Sequence, residues 1–453
     1  MGAVLSKKRI RKSDAVVQEV KVVESCMVAP SAQTPRHGLW LSPLDLMLVN
    51  RGHTPTVYFY RSESGGDFFD VARLKAAMAK ALVAFYPLAG RLGVGGRDGR
   101  AVIDCAGQGA LFVAARSELA VDDFSGFKPS PELRRLFVPR VEDYSPPVMC
   151  AVQVTFLKCG GVALGTALHH VAADAISAFH FFESWSAFSR DGDAAAAAAL
   201  EPPFHDRTLL RARSPPFVHP DALTVFCPKL NLSTEPSARP VVSEAFDISK
   251  DQVAALKSAC VSGEGGRVST FCAVSAHVWR CVCVARRLPP DATTRLTFPA
   301  SVRRSLRPPL PAGYFGNGII WLGAAGQVRD VASSGSEGLP SVADRIRGAV
   351  RRMDDELVRS AVDYFELTTE ADSKPAPGRM AETELRVISW LGMPVYDADF
   401  GWGKPLAMLR AEAERAGFVY LMDGGQGAGS VRVVICTEAA ILDDFQRLLY
   451  AKF

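Results

Sequence analysis

The sequence has no apolar run approaching the roughly 18 residues needed to cross a bilayer; residues 194–200 are apolar but far too short. It also lacks the pattern of a secretory signal, because its basic N-terminus is not followed by an apolar segment. Ten cysteines are present, yet none form a CxxC pair or a Cys/His cluster at zinc spacing, and Cys281 and Cys283 make only a CxC. The thiols therefore read as reduced and buried in a cytoplasmic protein, and no metal site is expected. No strong charge excess appears either. The formal net charge is +4, and Lys7, Lys8, Arg9, Arg11 and Lys12 cluster near the N-terminus without an acid among residues 1–12, so the rest is nearly neutral. That balance excludes nucleic acid as an expected partner. The glycine-rich stretches 93–99 and 424–429 lack the strand–loop–helix setting of a phosphate cradle.

What is present is a globular composition, 48% hydrophobic and 22% charged. At 453 residues the chain exceeds one ordinary core and suggests two domains of about 200 residues each. Apolar strand-like runs stand at 16–28, 39–48, 56–60 and 152–168. Between them Leu74, Ala77, Met78, Ala81, Leu82 and Phe85 recur at helical spacing, and Pro87 ends that helix. Residues 191–216 shift to alanine, paired prolines and arginines, and read as the link between domains. The second half alternates strands (223–226, 295–298, 318–323, 418–422, 430–437) with helices (250–259, 269–286, 342–367, 440–449). This alternation predicts an α/β layered fold.

One stretch carries chemistry. His169, His170 and Asp174 lie between a buried strand and a helical pattern (175–188), and His170 precedes Asp174 by four residues. A histidine at a strand end can act as a general base, although a lone histidine in apolar surroundings is more often a packed core residue. Asp399-Phe400-Gly401-Trp402-Gly403 follows in the C-terminal half. HxxxD and DFGWG, in that order, resemble the plant BAHD acyl-CoA-dependent acyltransferases. Tyr86 to Arg91 (YPLAGR), Ser269-Thr270-Phe271 with Ala276 to Trp279, and Pro308 to Asn317 (PPLP…YFGN) resemble further family elements. The likeness covers residues 20–453.

The resemblance implies two chloramphenicol-acetyltransferase-like domains with the active-site channel at their interface. On it we place a disordered basic extension at 1–19, an N-terminal domain at 20–195, a crossover linker at 196–220 and a C-terminal domain at 221–453. It implies an acyl-CoA co-substrate with no further cofactor, a small-molecule acceptor and a monomer. His170 matches the family's base; His169, at the wrong spacing, reads as packing. Asp174 looks like a loop-shaping carboxylate paired with an arginine. Where the family has glycine after this aspartate, the chain has Ala175, a mild change unless the backbone is at positive φ. Asp399 is expected to be structural and bridged to Arg303, although Ser301 to Leu306 departs from the family's D-x-R-x-R-L. Trp402 reads as an oxyanion donor or a channel wall. Ser269 and Thr270 read as contacts for CoA or as a helix cap.

The segment from His53 to Tyr60 resembles the acceptor strand of hydroxycinnamoyltransferases, with Thr54, Thr56 and Tyr58 on one face. Shikimate and quinate enzymes of that clade carry an arginine two residues after a tryptophan. Here Gly392 follows Trp390, so no bidentate grip on an acceptor carboxylate is expected there. Residues 20–46 look particularly like the grass enzymes that acylate tryptamine, tyramine, putrescine or agmatine. The expected reaction is N-acylation of such an amine by hydroxycinnamoyl-CoA or benzoyl-CoA. The alternative is ester formation with an alcohol such as shikimate or quinate. Finally, Met1-Gly2 with Ser6 and the basic cluster fit a myristoylation pattern, and one acyl chain plus a basic patch can tether a protein to membranes.

Overall fold

The computed structural model describes residues 20–451 except 63–67, 97–98, 125, 194, 197–200, 234–238, 262–265, 334–337, 369–377, 413–414 and 425–428. The Gly2 tail lies outside the described residues. The architecture is α/β, with two six-stranded mixed sheets flanked by helices.

The first sheet runs in the order Val20–Val28, Ala110–Ser117, Cys150–Leu157, Val162–His169, His53–Tyr60, Ala407–Arg410. Its last strand comes from the C-terminal half, so a contiguous domain at 221–453 does not describe the sheets: Ala407–Arg410 pairs antiparallel with His53–Tyr60, Arg410 opposite Thr56 and Met408 opposite Tyr58. The second sheet runs Val241–Ile248, Val431–Glu438, Phe418–Asp423, Glu384–Ser389, Thr293–Ser301, Ile319–Gln327.

The apolar run 152–168 is a hairpin rather than one strand. Gly160 turns at φ +81° between Cys150–Leu157 and Val162–His169, and the Leu157 N–H donates to the Gly161 carbonyl at 2.9 Å. Likewise, the helix expected at 342–367 is two, Gly338–Arg351 and Asp355–Leu367. The Asp354 carboxylate accepts the Leu357 N–H at 2.9 Å and so starts a new helix where the first ends. The strand expected at 223–226 is a single 3₁₀ turn, Ala222–Thr224, with one bridge from Phe226 to Leu322. Patterns of period and burial do not distinguish such short apolar runs.

Two helices set up the site. Val71–Ala84 and Ala175–Arg190 pack together, and the buried Trp185 indole donates to the Leu74 carbonyl at 2.9 Å. One buried apolar cluster joins the halves, uniting Tyr58 and Leu164 of the first sheet with Tyr420 and Val434 of the second. Among the described residues no helix is long and apolar enough to cross a membrane, and no group of His, Cys, Asp or Glu is placed to hold a metal ion.

Candidate active site

His169 is the last residue of its strand and pairs with His53. Its ring is buried, lies edge-on to the His53 ring at 4.9 Å, and accepts the Val171 N–H on Nδ1 at 3.3 Å. Burial, and then the neighbouring His53 and His170, push its pKa down from 6.5 to about 3. It is a neutral packing residue. The chain then turns, which brings His170 to the wall of a cavity between the two sheets. The His170 backbone is held on both sides: its N–H donates to the Gly52 carbonyl at 2.8 Å, and its carbonyl accepts the Asn317 Nδ2–H at 2.8 Å.

His277, buried in the Thr270–Ala285 helix, is also held down, to about 4, by burial. A histidine with a depressed folded pKa refuses a proton that the unfolded chain accepts. Its stabilising effect is thus present above about pH 6.5 and is lost as pH falls toward the folded value. With His169 and His277 both in this state, the thermal midpoint is expected to drop on going from pH 7.5 to pH 5. Substituting His277 with asparagine should flatten that drop; an equal drop in the variant would remove this cause.

Asp174 caps the Ala175–Arg190 helix by accepting the Ser177 N–H at 3.0 Å. Arg303 donates to it from both terminal nitrogens, at 2.7 and 3.0 Å, and the Gly318 N–H adds a bond at 2.9 Å. Burial alone raises this carboxyl. Arg303, with the Gly318 and Ser177 amides, outweighs burial and holds it below its usual 3.8. Ala175 opens the helix, and among the described residues only Phe69, Phe127 and Arg287 are non-glycines at positive φ, so its methyl group is unstrained.

The expected Asp399–Arg303 bridge is therefore corrected: Arg303 belongs to Asp174. Asp399 instead closes its own loop. Its Oδ1 accepts the N–H groups of Gly401 and Gly403 at 2.8 and 3.0 Å. Those residues sit at φ +101° and +97°, and a Cβ on Gly401 would stand 2.5 Å from the Arg73 guanidinium. A short carboxylate can reach amides two and four residues on more readily than a guanidinium already bound elsewhere.

Trp402 also departs from expectation. It is absent from the cavity lining. Its ring stacks on Phe69 at 5.3 Å and lies under the Arg73 guanidinium at 4.5 Å. The neighbouring Phe400 is buried against Trp185, with ring centroids 4.7 Å apart. DFGWG thus locks a loop onto the two packed helices, and the tryptophan packs in that loop, outside the lining of the cavity that holds His170. Trp402→Phe, which keeps an aromatic face for Arg73, is expected to leave kcat within about threefold of wild type. Loss of an oxyanion donor would cost on the order of 10²-fold or more, so steady-state kinetics separate the two.

Thr54, Thr56 and Tyr58 line the cavity beside His170, opposite Phe179 and Phe182 of the helix and facing Trp321 and Trp390 of the other half. The hydroxyls of Thr56 and Thr166 are 2.5 Å apart. Gly392 does not line it: at φ +70° its N–H donates to Asp423 at 2.8 Å, while Trp390 and Met393 face the space. No arginine stands at 392; Arg51 and Arg410 are the arginines among the residues lining this cavity. Ser269 and Thr270 lie outside the lining; Ser269 caps its helix by accepting the Cys272 N–H at 3.1 Å.

Sequence reading missed the group that fixes the His170 turn. Arg207 donates to the carbonyls of Val171 and Ala172 at 3.0 and 2.7 Å and pairs with Asp45 at 3.1 Å. Asn317 donates its backbone and side-chain N–H to the same Asp45 oxygen, each at 2.9 Å. All three are fully or nearly fully buried. Their signals were faint: an aspartate inside an apolar run, one arginine among several in a linker, and the asparagine ending YFGN.

The family model described as Transferase family matches residues 18–451. The chain is 46% identical over 447 residues to a putrescine hydroxycinnamoyltransferase of Oryza sativa subsp. japonica, covering 95% of this chain and 98% of that one. It is 40% identical to a hydroxycinnamoyl-CoA:5-hydroxyanthranilate N-hydroxycinnamoyltransferase of Avena sativa and 41% identical to a shikimate O-hydroxycinnamoyltransferase of Nicotiana tabacum, each match covering 95% of this chain and 99% of the relative. Among solved structures, vinorine synthase superposes with a TM-score of 0.73 at 24% identity, covering 96% of this chain and 98% of that one.

Proposed function

The chain belongs to the BAHD transferase family and is an acyl-CoA-dependent acyltransferase, and on that premise we propose that it moves an aromatic acyl group, hydroxycinnamoyl or benzoyl, from CoA to a small amine. The observation that carries the reading is His170, clamped through its backbone at the wall of a largely apolar cavity between the two sheets. His170 takes a proton from the acceptor nitrogen as that nitrogen attacks the thioester carbonyl carbon. The C–N bond forms, the tetrahedral intermediate collapses, and the C–S bond breaks. The departing CoA sulfur then receives the proton from His170. Asp174 serves as a positioning residue through Arg303 and the helix cap. The aromatic walls suit a planar acyl chain. The names of the rice and oat relatives, which act on putrescine and 5-hydroxyanthranilate, support an amide product.

Ester formation is the second reading, supported by the tobacco relative named for shikimate. Release of free CoA from coumaroyl-CoA and benzoyl-CoA with tyramine, tryptamine, putrescine, agmatine, anthranilate and shikimate, with products identified by mass, tests the choice. An amide from at least one amine, formed faster than any ester, is the expected result. Shikimate turned over much faster than every amine overturns it.

A further inference from the structure

The peptides that follow His170 are held by side chains that share one buried anchor. Arg207 donates to two successive carbonyls, Val171 at 3.0 Å and Ala172 at 2.7 Å. The Asn317 Nδ2–H reaches the carbonyl before them, that of His170, at 2.8 Å. Both side chains meet at Asp45, whose Oδ1 pairs with Arg207 at 3.1 Å and accepts two N–H bonds from Asn317. The other oxygen accepts the Ser42 N–H and hydroxyl at 2.9 and 2.7 Å. The side chains of Arg207 and Asp45 are wholly buried, so solvent ions screen this pair far less than one at the surface.

Arg207 lies in neither sheet. It opens the 3₁₀ turn Arg207–Leu210, in the segment expected to link the two halves. That segment is fastened before it reaches Arg207. The Phe204 N–H donates to the Gly313 carbonyl at 2.7 Å, and the Phe204 carbonyl accepts the Phe315 N–H at 2.8 Å. A Cβ on Gly313 would stand 2.2 Å from the Pro202 carbonyl oxygen, so the approach requires glycine. The His205 ring bonds the Ala84 carbonyl at 2.7 Å. The guanidinium therefore arrives at a fixed point, where its rigid fork spans two neighbouring peptides.

We propose that Arg207, anchored by Asp45, is a positioning residue for the acyl transfer. It fixes the peptides after His170 and so sets where the imidazole stands at the cavity wall. The inference rests on His170 as the base, and its effect on rate passes through that residue. A misplacement of about 1 Å in a reacting group can cost on the order of 10²-fold in rate. The cost falls on kcat, because neither Arg207 nor Asp45 is among the residues lining the cavity.

CoA release from coumaroyl-CoA is measured, with whichever acceptor turns over, for Arg207→Lys, Arg207→Gln, His170→Ala and each Arg207 change combined with His170→Ala. Thermal midpoints are recorded alongside. Arg207→Lys keeps a cation beside Asp45 and avoids the stranded charge that threatens folding in Arg207→Gln, so it decides alone if the latter does not fold. The expected kcat is lower by about tenfold in Arg207→Lys and about 10²-fold in Arg207→Gln, with KM for both substrates little changed. In the His170→Ala background the same changes should scarcely move the residual turnover, because the group they position is gone. An unchanged kcat in folded Arg207→Lys, a raised KM in place of a lowered kcat, or an equal loss with and without His170 overturns the proposal. Wild-type turnover in His170→Ala would instead remove the base itself, and this proposal with it.

Discussion

His170→Ala is expected to lower kcat on the order of 10³-fold, within the range typical of a removed general base. KM for the acyl-CoA should change little, because the imidazole contributes one side of a wall otherwise built from Thr54, Thr56, Phe179 and Trp321. The fold should tolerate the change. The bonds that hold this turn run through the backbone N–H and carbonyl of residue 170, to Gly52 and Asn317, and alanine keeps both. The decisive comparison is with His169→Ala. That ring is buried against His53 and is not among the residues lining the cavity. Its removal should lower the thermal midpoint while leaving kcat of the folded protein within a few-fold. Stopped turnover in the His169 variant, with the His170 variant active, would reverse the assignment of the base.

Arg303→Ala is expected to destabilise the protein by about 3–5 kcal/mol, the usual result of stranding one partner of a buried ion pair. The geometry makes this severe. Arg303 is the bidentate partner of Asp174, and it also donates to the Ser177 hydroxyl at 3.1 Å and to the carbonyls of Gly316 and Tyr314 at 3.3 and 3.4 Å. One side chain thus ties the helix carrying the motif aspartate to the loop that delivers Asn317.

The pH dependence of the deficit identifies its cause. In the wild type the Asp174 carboxyl is held below 3.8, so its contribution is complete at neutral pH and is lost only as pH falls through that depressed value. Without Arg303, burial dominates and raises the carboxyl above its unfolded value. The variant then suffers most at high pH and regains stability as Asp174 takes up a proton on acidification. The gap in thermal midpoint between wild type and Arg303→Ala should therefore be widest near pH 8 and narrow toward pH 5. A gap constant with pH would mean that lost packing, rather than the stranded charge, is responsible. The double variant Arg303→Met with Asp174→Asn should be less damaged than Arg303→Ala, since no ion is then left buried alone.

Much of this was legible in the residues before any coordinate. The buried run up to Leu168 and the helical pattern from Ala175 placed His170 and Asp174 between a strand end and a helix start; that Asp174 also caps the helix came from the structure. The alternation of Thr54, Thr56 and Tyr58 placed three side chains on one face, since a strand has period two. The expectation that Asp174 pairs with an arginine, carried by the resemblance, agrees with the geometry.

Tertiary structure decided the rest. Which aspartate takes Arg303 depends on a contact spanning 129 residues, and no spacing rule reaches that far. Trp402 turned away from the cavity because Phe69 and Arg73, from a distant helix start, offered its ring a stacked and charged bed. Gly392 spoke only for its own position, whereas the cavity wall is assembled from both sheets: a strand crossing from one half to the other carried Arg410 into it. Local order follows from periodicity and capping, which act over a few residues. The identity of an ion pair and the charge of a cavity depend on which distant faces meet when the chain closes.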